Sequence, residues 1–248
     1  MTGLLGVDDD LRRRALKPRD SWWAVLVVDR LALPVVALLV RVPWVTPIRL
    51  TVLGAVLGVA AIASFGTGHL VLGAILFELR FFADCLDGKL ARAQGLTSSR
   101  GAFLDFATDV VLISGAVAAL GWHLSRGPSV FPLALAAGCT VACLILFWLI
   151  LYDLDHPAVP TGPAPRETPL ARWRRHHRLV RRPGTIEVET CLLFLVPLIG
   201  DARLLEAAFI AATAYYTVAS VHLFVKLFRR TSPAAAPAQV TPPASPTP

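Results

Sequence analysis

The chain has 248 residues, 55% of them hydrophobic and only 17% charged, with a mean hydropathy of +0.62 and a formal net charge of +7. That composition excludes an intrinsically disordered chain and a small disulfide-stapled secreted domain, and it points to an all-α polytopic membrane protein. Cys85, Cys139, Cys143 and Cys191 form no Cys-x-x-Cys pair and read as small, mostly buried hydrophobes rather than as a redox or zinc site.

Residues 1–20 form a polar, basic segment with Arg12, Arg13 and Arg14, and they lack the pattern of a cleavable signal peptide. Residues 21–45 hold an apolar run interrupted by Asp29, Arg30 and Pro34. Spanning the bilayer would place both charges near its centre, at about 2.5–3.5 kcal/mol each. An amphipathic juxtamembrane helix lying in the interface, anchored by Trp22 and Trp23, avoids that cost and is the expected arrangement. Residues 46–230 then form a six-helix domain. Its spans are expected near Leu50–Phe65, Leu70–Phe82, Ala102–Trp122, Val130–Tyr152, Val188–Ile199 and Leu204–Leu227, with the second running on as a helix through Asp84–Arg92. Residues 231–248 are a Pro/Ala-rich tail expected to be disordered.

With this layout, 21 of the 24 Lys and Arg residues fall on one side of the membrane. The positive-inside rule makes that side cytoplasmic, so both termini and the polar end of the second helix are expected to face the cytoplasm, in the plasma membrane. The basic loop Ala171–Arg182 reads as an attraction to anionic lipid head groups. It has a single aromatic residue and lies between two spans, so nucleic-acid binding is not expected. The adjacent His176 and His177 are not expected to bind metal.

The chemistry concentrates in Asp84–Asp109. Asp84 and Asp87 are spaced i, i+3, and Asp105 and Asp109 are spaced i, i+4, so each pair shares a helix face. A short link around Gly95–Ser99 is expected to fold the two helices antiparallel with their carboxylates facing each other. A single aspartate at a helix end is usually a solvated cap, but four converging carboxylates repel one another unless cations intervene. Hard divalent ions such as Mg²⁺ or Mn²⁺ prefer carboxylate oxygens, and two of them between two Asp pairs make a clamp for a pyrophosphate. Gly88, Ala91 and Gly101 leave room for a ligand to approach the backbone, and Arg92 can present a planar donor to a phosphate.

The spacing Asp-x2-Asp-Gly-x2-Ala-Arg-x8-Gly-x3-Asp-x3-Asp is met at Asp84, Asp87, Gly88, Ala91, Arg92, Gly101, Asp105 and Asp109. It resembles the signature of the CDP-alcohol phosphatidyltransferases, and the wider resemblance covers about residues 20–230. The resemblance implies transfer of the phosphatidyl, or another substituted phosphate, group of CDP-diacylglycerol or a similar CDP-linked donor to a small alcohol acceptor. CMP is released, and the product belongs to phospholipid biosynthesis. It implies Asp84, Asp87, Asp105 and Asp109 as ligands of two Mg²⁺ or Mn²⁺ ions, with Asp109 also the general base. It implies Gly88, Ala91, Arg92 and Gly101 as the CDP site, and a homodimer. Arg80 and Arg100 are candidate contacts for an acceptor anion or the donor phosphates; for Arg80 the alternative is a structural pair with Asp84, and for Arg100 a solvated loop position. Glu78 needs a partner.

Two positions depart from the family pattern. Thr46-Pro47-Ile48 replaces a common Thr-Pro-Asn, which removes an amide from the nucleotide region. Val110 stands where members with phosphorylated acceptors often carry a basic residue. Two other functions compete. An acidic-pathway transporter predicts charges spread along the spans, and an intramembrane prenyltransferase predicts two Asp-rich motifs far apart in the chain; here one compact constellation is present.

Overall fold

The computed structural model describes residues 8–126, 131–156, 167–181 and 183–231. Helices follow one another, and no strand occurs among the described residues apart from an isolated parallel bridge between Asp20 and Leu179. In chain order they are α1 (Asp9–Ala15), a π-helical turn Ala24–Val28 running into α2 (Asp29–Leu39), α3 (Pro47–Thr67), α4 (Leu70–Gln94), α5 (Ser99–Leu124), α6 (Phe131–Asp155), α7 (Pro169–His176), α8 (Thr185–Thr190), a second π-helical turn Cys191–Leu195, α9 (Val196–Ile199) and α10 (Ala202–Thr231). The expected tail disorder, and Arg166 and Arg182 of the basic loop, lie outside the described residues.

Four helices, α3, α5, α6 and α10, are long and apolar enough to cross a membrane. Only 22–33% of their most apolar stretches is buried inside the protein. Val52, Val56, Val111, Trp148, Val218 and Phe224 face outward, an exposure that suits lipid rather than water. The sequence suggested six spans, and the difference has two causes. α4 is long enough but carries Glu78, Arg80, Asp84, Asp87, Lys89 and Arg92. The stretch from Thr185 to Ile199 is apolar toward its end but short, and two π/α junctions divide it.

Two cores hold the molecule together. The larger joins α3 through Phe65, α4 through Phe77, α5 through Leu120, α6 through Leu146, the Cys191–Leu195 turn through Leu193, and α10 through Phe209 and Tyr216. The smaller packs Leu11 and Ala15 of α1 and Ala32 and Val36 of α2 onto Leu86, Leu90 and Ala93 of α4. α3 packs along both α4 and α5, and far more extensively than those two pack on each other. The two Asp-bearing helices therefore each pack on α3 rather than along each other, while their carboxylates converge on one cleft as expected. Gly58 allows the close approach of α5, since a Cβ there would stand 2.6 Å from Leu112 Cδ1. Gly95, with φ of +69°, ends α4 in the left-handed conformation, and Ser98 caps α5 by accepting from Gly101 N.

The segment 21–45 corrects the expectation of solvated interfacial charges. Asp29 is 4% exposed and sits between Lys89 Nζ at 3.0 Å and Arg178 Nη1 at 2.8 Å. Lys89, expected among the cytoplasmic charges, is itself 2% exposed. The tryptophans expected as lipid anchors turn inward too: Trp22 Nε1 donates to Val180 O and Trp23 Nε1 to Glu78 Oε1 at 2.8 Å, which supplies the partner Glu78 lacked. Glu187 Oε1 accepts from the backbone N of Trp22 and Trp23, while its Oε2 accepts from Gly184 N. The basic loop is thus stitched to the N-terminal segment, with Arg178 Nε donating to Lys17 O and Arg178 O accepting from Asp20 N.

Asp29→Leu removes the one anion of this triad and leaves two cations uncompensated, one of them buried. It is expected to destabilise the protein by about 3–5 kcal/mol, read as a lower thermal midpoint of the detergent-solubilised protein; an unchanged midpoint would show that the triad carries no such load.

Candidate active site

α3, α4 and α5 enclose one polar cleft. It is lined by Thr51, Gly54 and Ala55 from α3, Arg80, Asp84 and Asp87 from α4, and Asp105, Thr108, Asp109 and Leu112 from α5. Helical periodicity puts each acidic set on one face, and α3 closes the bottom of the V between them.

Within the cleft the aspartates divide. Asp84, Asp87 and Asp105 each offer a carboxylate oxygen, and these oxygens all lie within 4.8 Å of one another. Asp84 of α4 and Asp105 of α5 thus come close across the cleft although both are acids. Asp105 Oδ1 is buried without a hydrogen-bond partner. Crowded acceptors with an unpaired oxygen form a donor set that suits a hard divalent cation. Asp109, expected as a fourth ligand, lines the same cleft outside that cluster, and its carboxylate forms an ion pair with Arg80. This corrects the alternative that Arg80 pairs with Asp84. Arg80 is 3% exposed and lies over the Phe77 ring, with Cζ 5.3 Å from the ring centroid.

Thr51 is a site residue that the sequence reading missed. Its Oγ1 donates to Asp87 Oδ2 at 2.6 Å, fixing that carboxylate. The available signal was its position one turn into a helix opened by Pro47, three residues before Gly54 on the same face.

Gly88 and Arg92 are neighbours: a Cβ on Gly88 would stand 3.3 Å from Arg92 Nη1. Arg92 is partly buried, and its Nε donates to Ala15 O at 2.8 Å, so α1 orients this side chain. Ala91 is partly buried beside it. Gly101 and Arg100 lie exposed on the first turn of α5.

The family model for CDP-alcohol phosphatidyltransferases matches residues 44–172, just over half of the chain and all of the cleft. The chain belongs to the CDP-alcohol phosphatidyltransferase family. A phosphatidylinositol phosphate synthase of Mycobacteroides abscessus is 35% identical over 120 residues, 48% of this chain and 53% of the relative. The corresponding Corynebacterium glutamicum protein is 36% identical over the same share. The chain thus matches about half the length of these curated relatives. Crystal structures of Mycobacterium tuberculosis phosphatidylinositol phosphate synthase share the fold. One with CDP-DAG bound superposes with a TM-score of 0.63 at 20% identity, covering 82% of this chain and 96% of that one. One in complex with manganese and citrate gives 0.61 at 20% identity, covering 80% and 90%. Family membership removes the ground for the transporter and prenyltransferase readings.

Proposed function

We propose that this protein is an integral membrane phosphotransferase that moves the substituted phosphate group of CDP-diacylglycerol, or a similar CDP-linked lipid, to an alcohol with release of CMP. The observation that carries this reading is the division of the cleft: three clustered carboxylates beside a fourth that is held apart. The first set suits a pyrophosphate-binding metal site, and the fourth suits an acceptor site.

Asp84, Asp87 and Asp105 would hold Mg²⁺ or Mn²⁺, two ions in this reading, with Asp109 at the edge of the same site. Metal bound there neutralises the donor pyrophosphate and the departing CMP. Thr51 keeps Asp87 oriented by its hydrogen bond. Asp109 takes the proton of the acceptor hydroxyl as its oxygen attacks phosphorus. Gly88 and Ala91 leave space for the nucleotide; Arg92, held through Nε by Ala15 O, turns its terminal nitrogens to a donor phosphate. Gly101 borders the same space from α5, and Arg100 stands exposed at its mouth.

Six membrane passes follow when α4 and the Thr185–Ile199 stretch cross together with the four long apolar helices. The charge asymmetry of the sequence supports a cleft and termini on the cytoplasmic side, and the reading takes the plasma membrane as the host membrane. α1 and α2 form the juxtamembrane unit, since Leu31, Leu38 and Trp44 stay exposed on its outer side.

The acceptor is read as a small polyol or its phosphate, following the inositol phosphate chemistry named for the relatives. Purified protein given CDP-diacylglycerol, Mn²⁺ and separate acceptors (inositol phosphate, glycerol phosphate, inositol, serine) is expected to convert one of them into a phosphatidyl lipid of the matching mass. No lipid product from any acceptor would refute the reading.

A further inference from the structure

α1 contributes no residue to the metal cluster, yet it grips the end of α4 that carries Arg92. Leu11 and Ala15 are buried and pack with Leu86, Leu90 and Ala93 of α4. Two hydrogen bonds cross this seam in opposite directions: Arg92 Nε donates to Ala15 O at 2.8 Å, and Arg14 Nη1 donates to Ala93 O at 3.2 Å. Carbonyls in the last turn of a helix lack intrahelical partners, so each helix supplies an arginine to a free carbonyl of the other. Arg14 Nη2 also pairs with Asp10 Oδ2 at 2.8 Å, one turn back along α1, which fixes the guanidinium from its own side. Held at Nε, the planar fork of Arg92 keeps its two terminal nitrogens for another anion. Those nitrogens lie over Gly88, where a Cβ would stand 3.3 Å from Nη1 and 3.8 Å from Nη2. Gly88 directly follows Asp87, one of the three clustered carboxylates.

We propose that Arg14 is a positioning residue for donor binding: it docks α1 on α4 so that Ala15 O holds Arg92 ready for the phosphates of a nucleoside diphosphate. An arginine free to rotate would lose side-chain entropy on meeting those phosphates, and the grip of α1 meets that cost in advance. Coupling between two events is reciprocal, so a bound CDP group also tightens α1 on α4. α1 precedes residues 44–172, which the family model matches, so the signature itself does not specify this grip. The inference rests on the phosphate-binding role given to Arg92 under Proposed function.

The test is a double-mutant cycle in the full-length protein, read as the affinity for CDP itself in saturating Mn²⁺ by titration calorimetry, which does not depend on turnover. Arg14→Gln is expected to weaken CDP binding about tenfold, as misplacing a charge-assisted hydrogen bond to phosphate does. Mn²⁺ affinity without CDP is expected to stay within about twofold of wild type, because neither arginine belongs to the metal cluster. Arg92→Gln should weaken CDP binding at least as much, and adding Arg14→Gln to it should cost nothing further. Arg14→Lys, which keeps a donor for Ala93 O, should recover most of the affinity. CDP should also slow amide hydrogen exchange in α1 of the wild type and not of Arg92→Gln, a response that a merely structural Arg14 would not produce. Wild-type CDP affinity in Arg14→Gln, losses that multiply in the double variant, or α1 exchange that ignores CDP would overturn the proposal. The Arg14 side chain is half-exposed, so the fold should tolerate its loss; should Arg14→Gln fail to fold, Leu11→Ala loosens the same seam and runs the same cycle, with the same results deciding. A wild type that binds CDP in this α1-dependent way yet releases no CMP from CDP-diacylglycerol supports the role of Arg14 and refutes the proposed reaction instead.

Discussion

Asp109→Asn is expected to lower CMP release by about a thousandfold, within the range that a positioned general base contributes. The substitution is nearly isosteric, but the amide cannot take the acceptor proton. Arg80 loses its ion pair and keeps a hydrogen-bond acceptor at the amide oxygen. The fold should survive, because Asp109 lines the cleft and belongs to neither hydrophobic core. Mn²⁺ binding should survive as well, since Asp84, Asp87 and Asp105 form the ligand cluster without it. The measurement is CMP release beside Mn²⁺ affinity in the same preparation. Loss of both would move Asp109 into the metal site proper; full activity would remove it from catalysis.

The second large effect is metal removal. Chelation is expected to abolish turnover, and Mg²⁺ or Mn²⁺ is expected to restore it, because three carboxylate oxygens within 4.8 Å of one another repel strongly when no cation lies among them. The same crowding predicts a stability effect that other clefts would not show. Mn²⁺ should raise the thermal midpoint of the wild type, following the mass-action stabilisation of a ligand that binds only the folded state. It should raise that of Asp87→Asn much less. A finer variant is Thr51→Val, which deletes the 2.6 Å hydrogen bond to Asp87 and leaves the ligands in place. It is expected to weaken metal affinity about tenfold, as loss of a supporting contact to a ligand does. Equal Mn²⁺ affinity in Thr51→Val and wild type would show that Thr51 does not orient the ligand.

The acid cluster was legible in the sequence because its members sit on two helices at i, i+3 and i, i+4 spacing, where helical geometry alone decides which side chains share a face. The connection between the helices was legible for a similar reason, since Gly95 and Ser98 are local signals for a helix end and a helix start. What could not be read were contacts set by how helices cross. Arg80 and Asp109 are 29 positions apart on α4 and α5, two helices that both pack on α3, and they meet through that packing. The Arg80–Asp84 alternative followed from one-turn spacing, and it lost to this pairing between helices. Lys89 and Arg178 looked like cytoplasmic charges, since a lysine and an arginine in polar stretches are normally solvated. They turned inward to pair with the buried Asp29 carboxylate. Its awkward charge was visible in the sequence; its solution, 60 positions away at Lys89 and 149 away at Arg178, was not. Of the six expected spans, four are long and apolar enough to cross a membrane, and the charges that build the cleft make α4 more polar than those four.

The most direct test of the central claim is the stoichiometry of the reaction. Purified protein in lipid vesicles containing labelled CDP-diacylglycerol should release CMP only when both a divalent cation and an acceptor alcohol are present, with one phosphatidyl-alcohol formed for each CMP. CDP-diacylglycerol that stays intact under every combination of cation and acceptor, or CMP that appears at the same rate with no acceptor, would contradict it.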